Sequence, residues 1–234
     1  MRAFGVVLLA SMALAAVQVS AAPVIFQWSN APGGQTFVSG SYAPVAGSGA
    51  ISPAYLQAKF EDVGTNKVLL TLTSNMAAPA DLDKISFNIA PDALANNLII
   101  LTHSTNVLGL MNNTNEGPIH TFDLALDTGQ GKSGLGLQTV ATVTFGLKSP
   151  TTPANLQLLA DSFNTFTTWG TTKVYSAAHF QNVGPNGGFS SFIASGGPVP
   201  PGGDVDSTPL PSAAGAGMSL LGGACLFRRR AAKA

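Results

Sequence analysis

The chain has little cysteine, and the position of the one cysteine excludes several kinds of chemistry. Among 234 residues only Cys225 is a cysteine, and it lies within the last ten residues, in an apolar segment. The residues before it therefore offer no disulfide framework, no thiolate nucleophile and no cysteine-based zinc site. Stability has to come from a packed hydrophobic core.

Arginine is confined to the two ends of the chain, at Arg2 and at Arg228 to Arg230. The residues between these ends carry six lysines and all eleven acids, six positive against eleven negative, which is a net charge of about −5. A mildly acidic stretch without arginine lacks the basic surface that binds phosphate backbones. We therefore expect no nucleic-acid partner.

Helix signals are also scarce, and turn residues are common. The 26 glycines and 15 prolines favour short strands joined by turns over long helices. The clearest strand signal flanks residues 64–66, because apolar and polar residues alternate over 56–62 and again over 68–74. Two half-buried strands around a tight turn predict an antiparallel hairpin.

Other short segments share an apolar or alternating pattern with turn residues at their ends. They are residues 24–28, 37–38, 84–89, 98–101, 120–126, 140–147, 156–159, 174–181 and 189–193. Residues 112–117 and 167–172 are predicted to be polar loops. Many short strands of this kind predict an all-β domain over residues 22–195, an antiparallel β-sandwich of jelly-roll or immunoglobulin-like type.

The first 21 residues predict a secretory signal peptide with a helical apolar region. Arg2 supplies the positive start, residues 4–17 are almost entirely apolar, and Val19, Ser20 and Ala21 are suited to the cleavage positions. We place cleavage after Ala21, since a cut one residue later would leave Pro23 first in the mature chain.

The last 39 residues divide into a spacer and a tail. Residues 196–208 are rich in glycine and proline and predict a flexible spacer. The tail, residues 209–234, begins with Pro209, Leu210 and Pro211, continues as a weakly apolar segment and ends with Arg228 to Arg230. As a helix the apolar part would span roughly 22 Å, short of the ~30 Å hydrocarbon core. It predicts a short transmembrane helix that anchors the chain transiently, with the arginines on the cytoplasmic side.

This layout resembles the sorting tail of bacterial exported proteins of the PEP-CTERM family. In that family a Pro-Glu-Pro-like motif, a short membrane helix and an arginine cluster are recognised by an exosortase. Here Leu210 replaces the acidic residue of the motif, while Arg228, Arg229 and Arg230 form the cluster. The resemblance implies a signal peptidase and an exosortase-like processing enzyme as partners, and delivery to the cell envelope or the extracellular space.

A weaker resemblance to the β domains of this family extends into residues 22–195. It depends on Phe122-Asp123-Leu124, on residues 177–181 with the sequence Ala-Ala-His-Phe-Gln, and on residues 187–193, where Phe192 stands in place of a usual tryptophan. The resemblance implies no enzymatic activity for this domain.

Few residues of the domain are candidates for chemistry. A metal site built from His103, His120 and His179 with Asp123 or Asp161 would have no familiar ligand spacing. The acids Asp81 and Asp83, or Asp123 and Asp127, are possible carboxylate pairs for glycoside hydrolysis. No Gly-x-Ser-x-Gly motif is present. We expect no catalytic residue, metal or cofactor.

Aromatic side chains suggest binding instead. Trp28, Tyr42, Tyr55, Trp169 and Tyr175 are candidates for a platform that stacks on sugars, although most aromatic residues in a sandwich belong to the core. Trp169 is the preferred ligand-binding residue, since polar neighbours would present its ring to solvent. We expect a structural or adhesive protein with extracellular polysaccharide as partner. The alternatives are a carbohydrate-binding module or adhesin, and an envelope glycoside hydrolase.

Overall fold

The structure is a computed structural model, and it describes a β-rich domain. The described residues are 21–29, 37–39, 44, 47, 54–115, 121–129, 135, 139–149, 152–184, 186–195 and 197–199. They form thirteen strands, one five-residue helix and one short 3-10 turn. All pairs of strands among them are antiparallel, which confirms the predicted all-β antiparallel class.

Eleven of the thirteen strands form two large sheets, one of five strands and one of six. The five-stranded sheet has the order β1-β3-β4-β9-β6. Its strands are β1 (Val24–Ser29), β3 (Ala54–Gly64), β4 (Lys67–Ser74), β6 (Leu98–His103) and β9 (Val140–Leu147). The predicted hairpin is its β3–β4 pair.

The second sheet has six strands in the order β2-β13-β12-β5-β8-β7. Its strands are β2 (Phe37–Ser39), β5 (Asp81–Phe87), β7 (Gly109–Asn115), β8 (Thr121–Asp127), β12 (Ser176–Val183) and β13 (Phe189–Ser195). A separate ribbon pairs β10 (Thr167–Trp169) with β11 (Thr172–Val174). Helix α1 (Ala93–Asn97) and the 3-10 turn (Ala160–Phe163) lie in connections between strands.

The inner faces of the two sheets enclose an aromatic core. Phe60 of β3 meets Phe87 of β5 edge to face, with ring centroids 4.9 Å apart. Phe163, from the 3-10 turn, stacks on Phe60 at 4.1 Å. All three side chains are fully buried, so contacts between rings join the two sheets and the connection that crosses their end.

The edge formed by β1 is closed by two hydrogen bonds from distant parts of the chain. The indole Nε1 of buried Trp28 donates to the carbonyl oxygen of Ile193 in β13. The amide of Val199 donates to the carbonyl oxygen of Ile25 in an antiparallel bridge. Since the bridge is antiparallel, the chain at Val199 runs in the direction opposite to β1, towards the end at which β1 begins. Val199 belongs to the predicted spacer.

Three local predictions differ from the structure. Residues 109–115 form edge strand β7 and not the loop predicted from residue 112, because pairing with β8 uses backbone groups and an edge tolerates polar side chains. Residues 167–172 belong to the β10–β11 hairpin. Residues 156–159 form no strand, since the amide of Leu158 donates to Oδ1 of Asn66 instead of to a neighbouring strand.

The predicted membrane-associated segments fall outside the described residues. This applies to the signal helix over residues 1–20 and to the tail, with Pro209, Leu210, Pro211 and Arg228 to Arg230. Ala21, the predicted cleavage residue, is described and exposed. Within the described ranges, no helix has both the length and the apolar character needed to cross a bilayer.

Burial raises the pKa of Tyr55 above its usual range, and this predicts a pH-dependent stability. An unfolded tyrosine loses its proton near pH 10, whereas folded Tyr55 retains it. The unfolded state then binds fewer protons, so the free energy of unfolding falls as pH rises above about 10, by about 1.4 kcal/mol per unit. Urea unfolding between about pH 9 and about pH 11.5 measures this slope.

The matched variant for this prediction is Tyr55→Phe, which removes only the titrating hydroxyl. Its stability should decline less steeply over the same pH range, while all other titrating groups contribute equally in both proteins. Equal slopes for the two proteins would contradict the prediction.

Candidate binding cleft

A cleft of about 370 Å³ opens at the end of the five-stranded sheet where β3 turns into β4. One wall is the turn itself, with Thr65, Asn66 and Lys67. A second wall follows the end of β9, from Gly146 to Ser149. Residues between 152 and 156 form the third wall, and Leu101 of β6 completes the lining.

Asn66 shapes the first wall through its backbone and its side chain. Its φ of 53° lies in the left-handed region that asparagine tolerates better than most residues. Its Oδ1 accepts a hydrogen bond from the amide of Leu158 at 2.9 Å. The two N–H groups on Nδ2 have no partner among the described residues, so they remain available as donors at the cleft.

Lys148 is held in the second wall from several sides. Its Nζ donates to the carbonyl oxygen of Asn96 at 2.8 Å, and its backbone amide donates to the carbonyl oxygen of Asn97 at 2.8 Å. The hydroxyl of Thr152 donates to the carbonyl oxygen of Lys148. An ammonium group has three donors, and the bond to Asn96 uses one of them.

Gly146 allows an apolar side chain to lie beside the charged groups. A Cβ at this position would come within 2.7 Å of Cδ1 of Leu101. Without it, Leu101 packs across β9 and stays 43% exposed. The cleft therefore combines polar donors with a patch of exposed hydrocarbon, as small-molecule sites do.

The charge of the cleft is opposite to that of the domain. Lys67 and Lys148 are the charged residues among the described residues that line it, and none of these is a histidine or an acid. Histidine and carboxyl groups are the commonest general acids and bases. The described lining offers hydrogen-bond donors and positive charge, which suit an anionic ligand that carries hydroxyl groups.

His179 and Asp83 form the second polar feature, on the six-stranded sheet. Nδ1 of His179 lies 2.7 Å from Oδ2 of Asp83, and the side chains are 15% and 10% exposed. With the Asp83 carboxylate as acceptor, Nδ1 of His179 is the donor of this bond. The imidazole stacks on Phe192 at 4.2 Å. Within the described residues no hydroxyl group is hydrogen-bonded to His179, as a Ser-His-Asp triad would require.

The acids predicted as pairs have separate structural partners. Asp81 accepts from Nδ2 of Asn182 at 2.8 Å, and Asp127 accepts from the amide of Gly129 at 2.8 Å. Asp123 accepts from the amide of Ile89 at 2.8 Å. The pKa of Asp123 is raised, mainly because the carboxyl group is partly buried. The bond from Ile89 lowers this pKa in part, and the negative charge of nearby Asp92 raises it further. The sequence missed Asp92 as the charge that acts on Asp123.

The predicted histidine cluster is not assembled among the described residues. Nδ1 of His103 contacts the carbonyl oxygen of Ser104, His179 contacts Asp83, and His120 lies outside the described residues. Asp161 accepts from Nδ2 of Asn164. Among the described residues, no group of three or more histidine, cysteine or acidic side chains is placed to hold a metal ion.

The five candidate aromatic residues do not form a common platform. Trp28 and Tyr55 are fully buried, Tyr175 packs against the main core, and Tyr42 lies outside the described residues. Trp169 lies on β10 and not in a loop, is half-buried, and packs against a second apolar cluster. That cluster contains Phe122, Val174, Ala177 and Ala194.

Sequence reasoning did not select the residues of the cleft. Lys67 and Lys148 are 81 positions apart, and no motif connects them. The available signal was the predicted turn at residues 64–66, which marks one wall. The other walls depend on how β9 and the following segment pack against that turn.

Comparisons with protein-family models, with curated proteins and with solved structures find no match to this chain. The resemblance to exported proteins with a PEP-CTERM tail therefore stays a prediction.

Proposed function

We propose that this chain is an exported protein of the bacterial cell envelope or extracellular matrix, in which the β-sandwich binds polysaccharide as a structural or adhesive component. The observation that carries the binding role is the cleft at the β3–β4 turn. Its described lining contains two lysines, an asparagine and an exposed leucine, but no histidine and no carboxyl side chain. Such a lining favours recognition of a sugar over its hydrolysis.

The connections between the sheets favour the jelly-roll form of the sandwich over the immunoglobulin-like form. The chain passes from β4 in one sheet to β5 in the other, and it returns from β8 to β9. The β5–β8 pair is thus nested inside the β4–β9 pair. Nested pairs in two facing sheets are typical of a rolled-up hairpin, and jelly-roll domains include many lectins.

The two ends of the domain support tethering from one side. At the Val199–Ile25 bridge the chain runs towards the end of β1 where Ala21 precedes the strand. A signal peptide on one side of the domain and a sorting tail on the other would therefore hold the same end of the domain near the membrane. Signal peptidase and an exosortase-like enzyme would then release it.

Intact mass spectrometry of the protein from the producing cells tests export and sorting. We expect a mature form that starts near Ala22 and ends near Pro209, because both terminal segments have the layout of removable signals. A control variant with Arg228, Arg229 and Arg230 replaced by alanine should keep its tail. If the unaltered protein retains Arg228 to Arg230, the sorting proposal fails and a plain membrane anchor remains.

The two alternatives make different demands on the domain. A carbohydrate-binding module or adhesin with a discrete site at Trp169 requires that binding be lost when this ring is removed. An envelope glycoside hydrolase requires a carboxylate pair about 5 to 10 Å apart at a cleft. The raised pKa of Asp123 beside Asp92 is the observation that favours a hydrolase. However, neither acid is among the residues that line the described cleft.

A further inference from the structure

We propose that the cleft selects acidic polysaccharide, with Lys67 and Lys148 binding the carboxylate of a uronic-acid unit. This inference rests on the proposed polysaccharide-binding function and specifies the class of sugar. Both lysines are among the residues that line one cleft, Lys67 in the wall at the β3–β4 turn and Lys148 in the wall at the end of β9. They belong to the six lysines of a stretch that also carries eleven acids.

The charge of the cleft is opposite in sign to the net charge of the domain. Residues 22–195 carry six lysines and nine acids, a net charge of about −3, which disfavours the approach of polyanions to the domain as a whole. A concave site with two ammonium groups and no described carboxylate reverses that repulsion locally. Neutral sugars need only hydroxyl and amide partners, so two ammonium groups specifically favour a ligand that carries negative charge.

The side chain of Lys148 is restrained by a hydrogen bond before any ligand binds. Its Nζ is already bonded to the carbonyl oxygen of Asn96, so part of the side-chain entropy that binding would cost is lost before the ligand arrives. The Nδ2 donors of Asn66 lie on the facing wall. A carboxylate with neighbouring hydroxyl groups matches this combination of charged and neutral donors.

The size of the cleft suits a small ligand. Its volume of about 370 Å³ lies near the lower end of ligand sites, which accommodates a short stretch of sugar units better than a folded partner. Leu101 offers hydrocarbon to the C–H face of a sugar ring. Recognition of anionic lipid headgroups would instead call for a protruding cluster of about four to eight basic residues.

The test measures binding of oligogalacturonate, and of the same oligomer after methyl esterification, to the full mature protein by isothermal titration calorimetry. Esterification removes the charge and keeps the sugar backbone. We expect the acid form to bind about tenfold more tightly than the ester, and the variant Lys67→Gln/Lys148→Gln to lose about tenfold in affinity for the acid form.

The matched control is Lys59→Gln/Lys173→Gln, which changes the net charge equally but lies outside the described lining of the cleft. It should bind the acid form as the unaltered protein does. Thermal unfolding of both double variants checks that they fold. Equal loss in the two double variants would show an effect of net charge alone and would overturn the inference.

The remaining outcomes separate this inference from the proposed function. If the ester or a neutral glucan binds as tightly as the acid form, the inference is wrong and polysaccharide binding stands. The same holds if Trp169→Ala abolishes binding while the lysine substitutions leave the affinity unchanged. If no polysaccharide binds, both fail. Binding to vesicles containing anionic phospholipid, without binding to oligogalacturonate, would assign the cleft to lipid headgroups and also overturn the inference.

Discussion

Replacing Phe163 with alanine should lower the free energy of unfolding by about 4 kcal/mol, within the range measured for buried phenylalanine truncations. Phe163 is fully buried, stacks on Phe60 at 4.1 Å and lies 5.6 Å from the ring of Phe145. Its removal leaves a cavity between the ends of the two sheets. Neither sheet can close this cavity easily, because both are fixed by strand pairing.

Phe166→Ala is the matched control for this prediction. It lies three residues further along the chain, is 41% exposed, and contacts Lys173 and Tyr175 at the surface. The loss of the Lys173 contact should cost about 1 kcal/mol or less. Urea unfolding followed by tryptophan fluorescence measures both variants. A similar cost for the two substitutions would mean that Phe163 does not join the sheets in solution.

Phe163 also illustrates what the sequence left undetermined about the core. Leu70 and Phe87 lie in the alternating segments 68–74 and 84–89, and both are fully buried. Period-two alternation carries this information because successive side chains of a strand point to opposite faces. Phe163 has no such context, since it lies in a four-residue 3-10 turn. Its burial depends on where a long connection crosses the sandwich.

The errors in strand prediction have the same physical origin. Residues 156–159 alternate in sequence, but Asn66, 92 positions earlier, supplies the hydrogen-bond acceptor for Leu158. Residues 112–115 are polar, yet β8 provides partners for the backbone of β7. In both cases a distant segment decides the structure, and local propensity is too weak to resist it.

The candidate site was less accessible to prediction than the fold. The polar neighbours of Trp169 predict an exposed ring. In β10, however, successive side chains point to opposite faces, so Thr168 is exposed and Trp169 packs against the second apolar cluster. Lys67 and Lys148 carry no signal that separates them from other surface lysines. Only the antiparallel pairing of β4 with β9, which places Val68 opposite Phe145, brings their walls together.

The pair formed by His179 and Asp83 supports the second prediction with a large effect. We expect His179→Phe to lower the free energy of unfolding by about 3 kcal/mol, because the substitution leaves a carboxylate that is 10% exposed without its donor. Phenylalanine keeps an aromatic ring to stack on Phe192. The loss therefore reports mainly on the hydrogen bond and the unpaired charge.

A double-mutant cycle separates that contribution from the general cost of substitution. In Asp83→Leu/His179→Phe both polar partners are absent, so no buried group remains unpaired, and the double variant should recover about 2 kcal/mol relative to the sum of the single variants. The backbone role of Asp83 is retained, because its carbonyl oxygen, which accepts from Thr128, is unchanged. Urea unfolding of all four proteins at one pH gives the coupling energy. Additivity within about 0.5 kcal/mol would show that the two side chains do not stabilise each other, and the bond between β12 and β5 would then be a contact without energetic consequence.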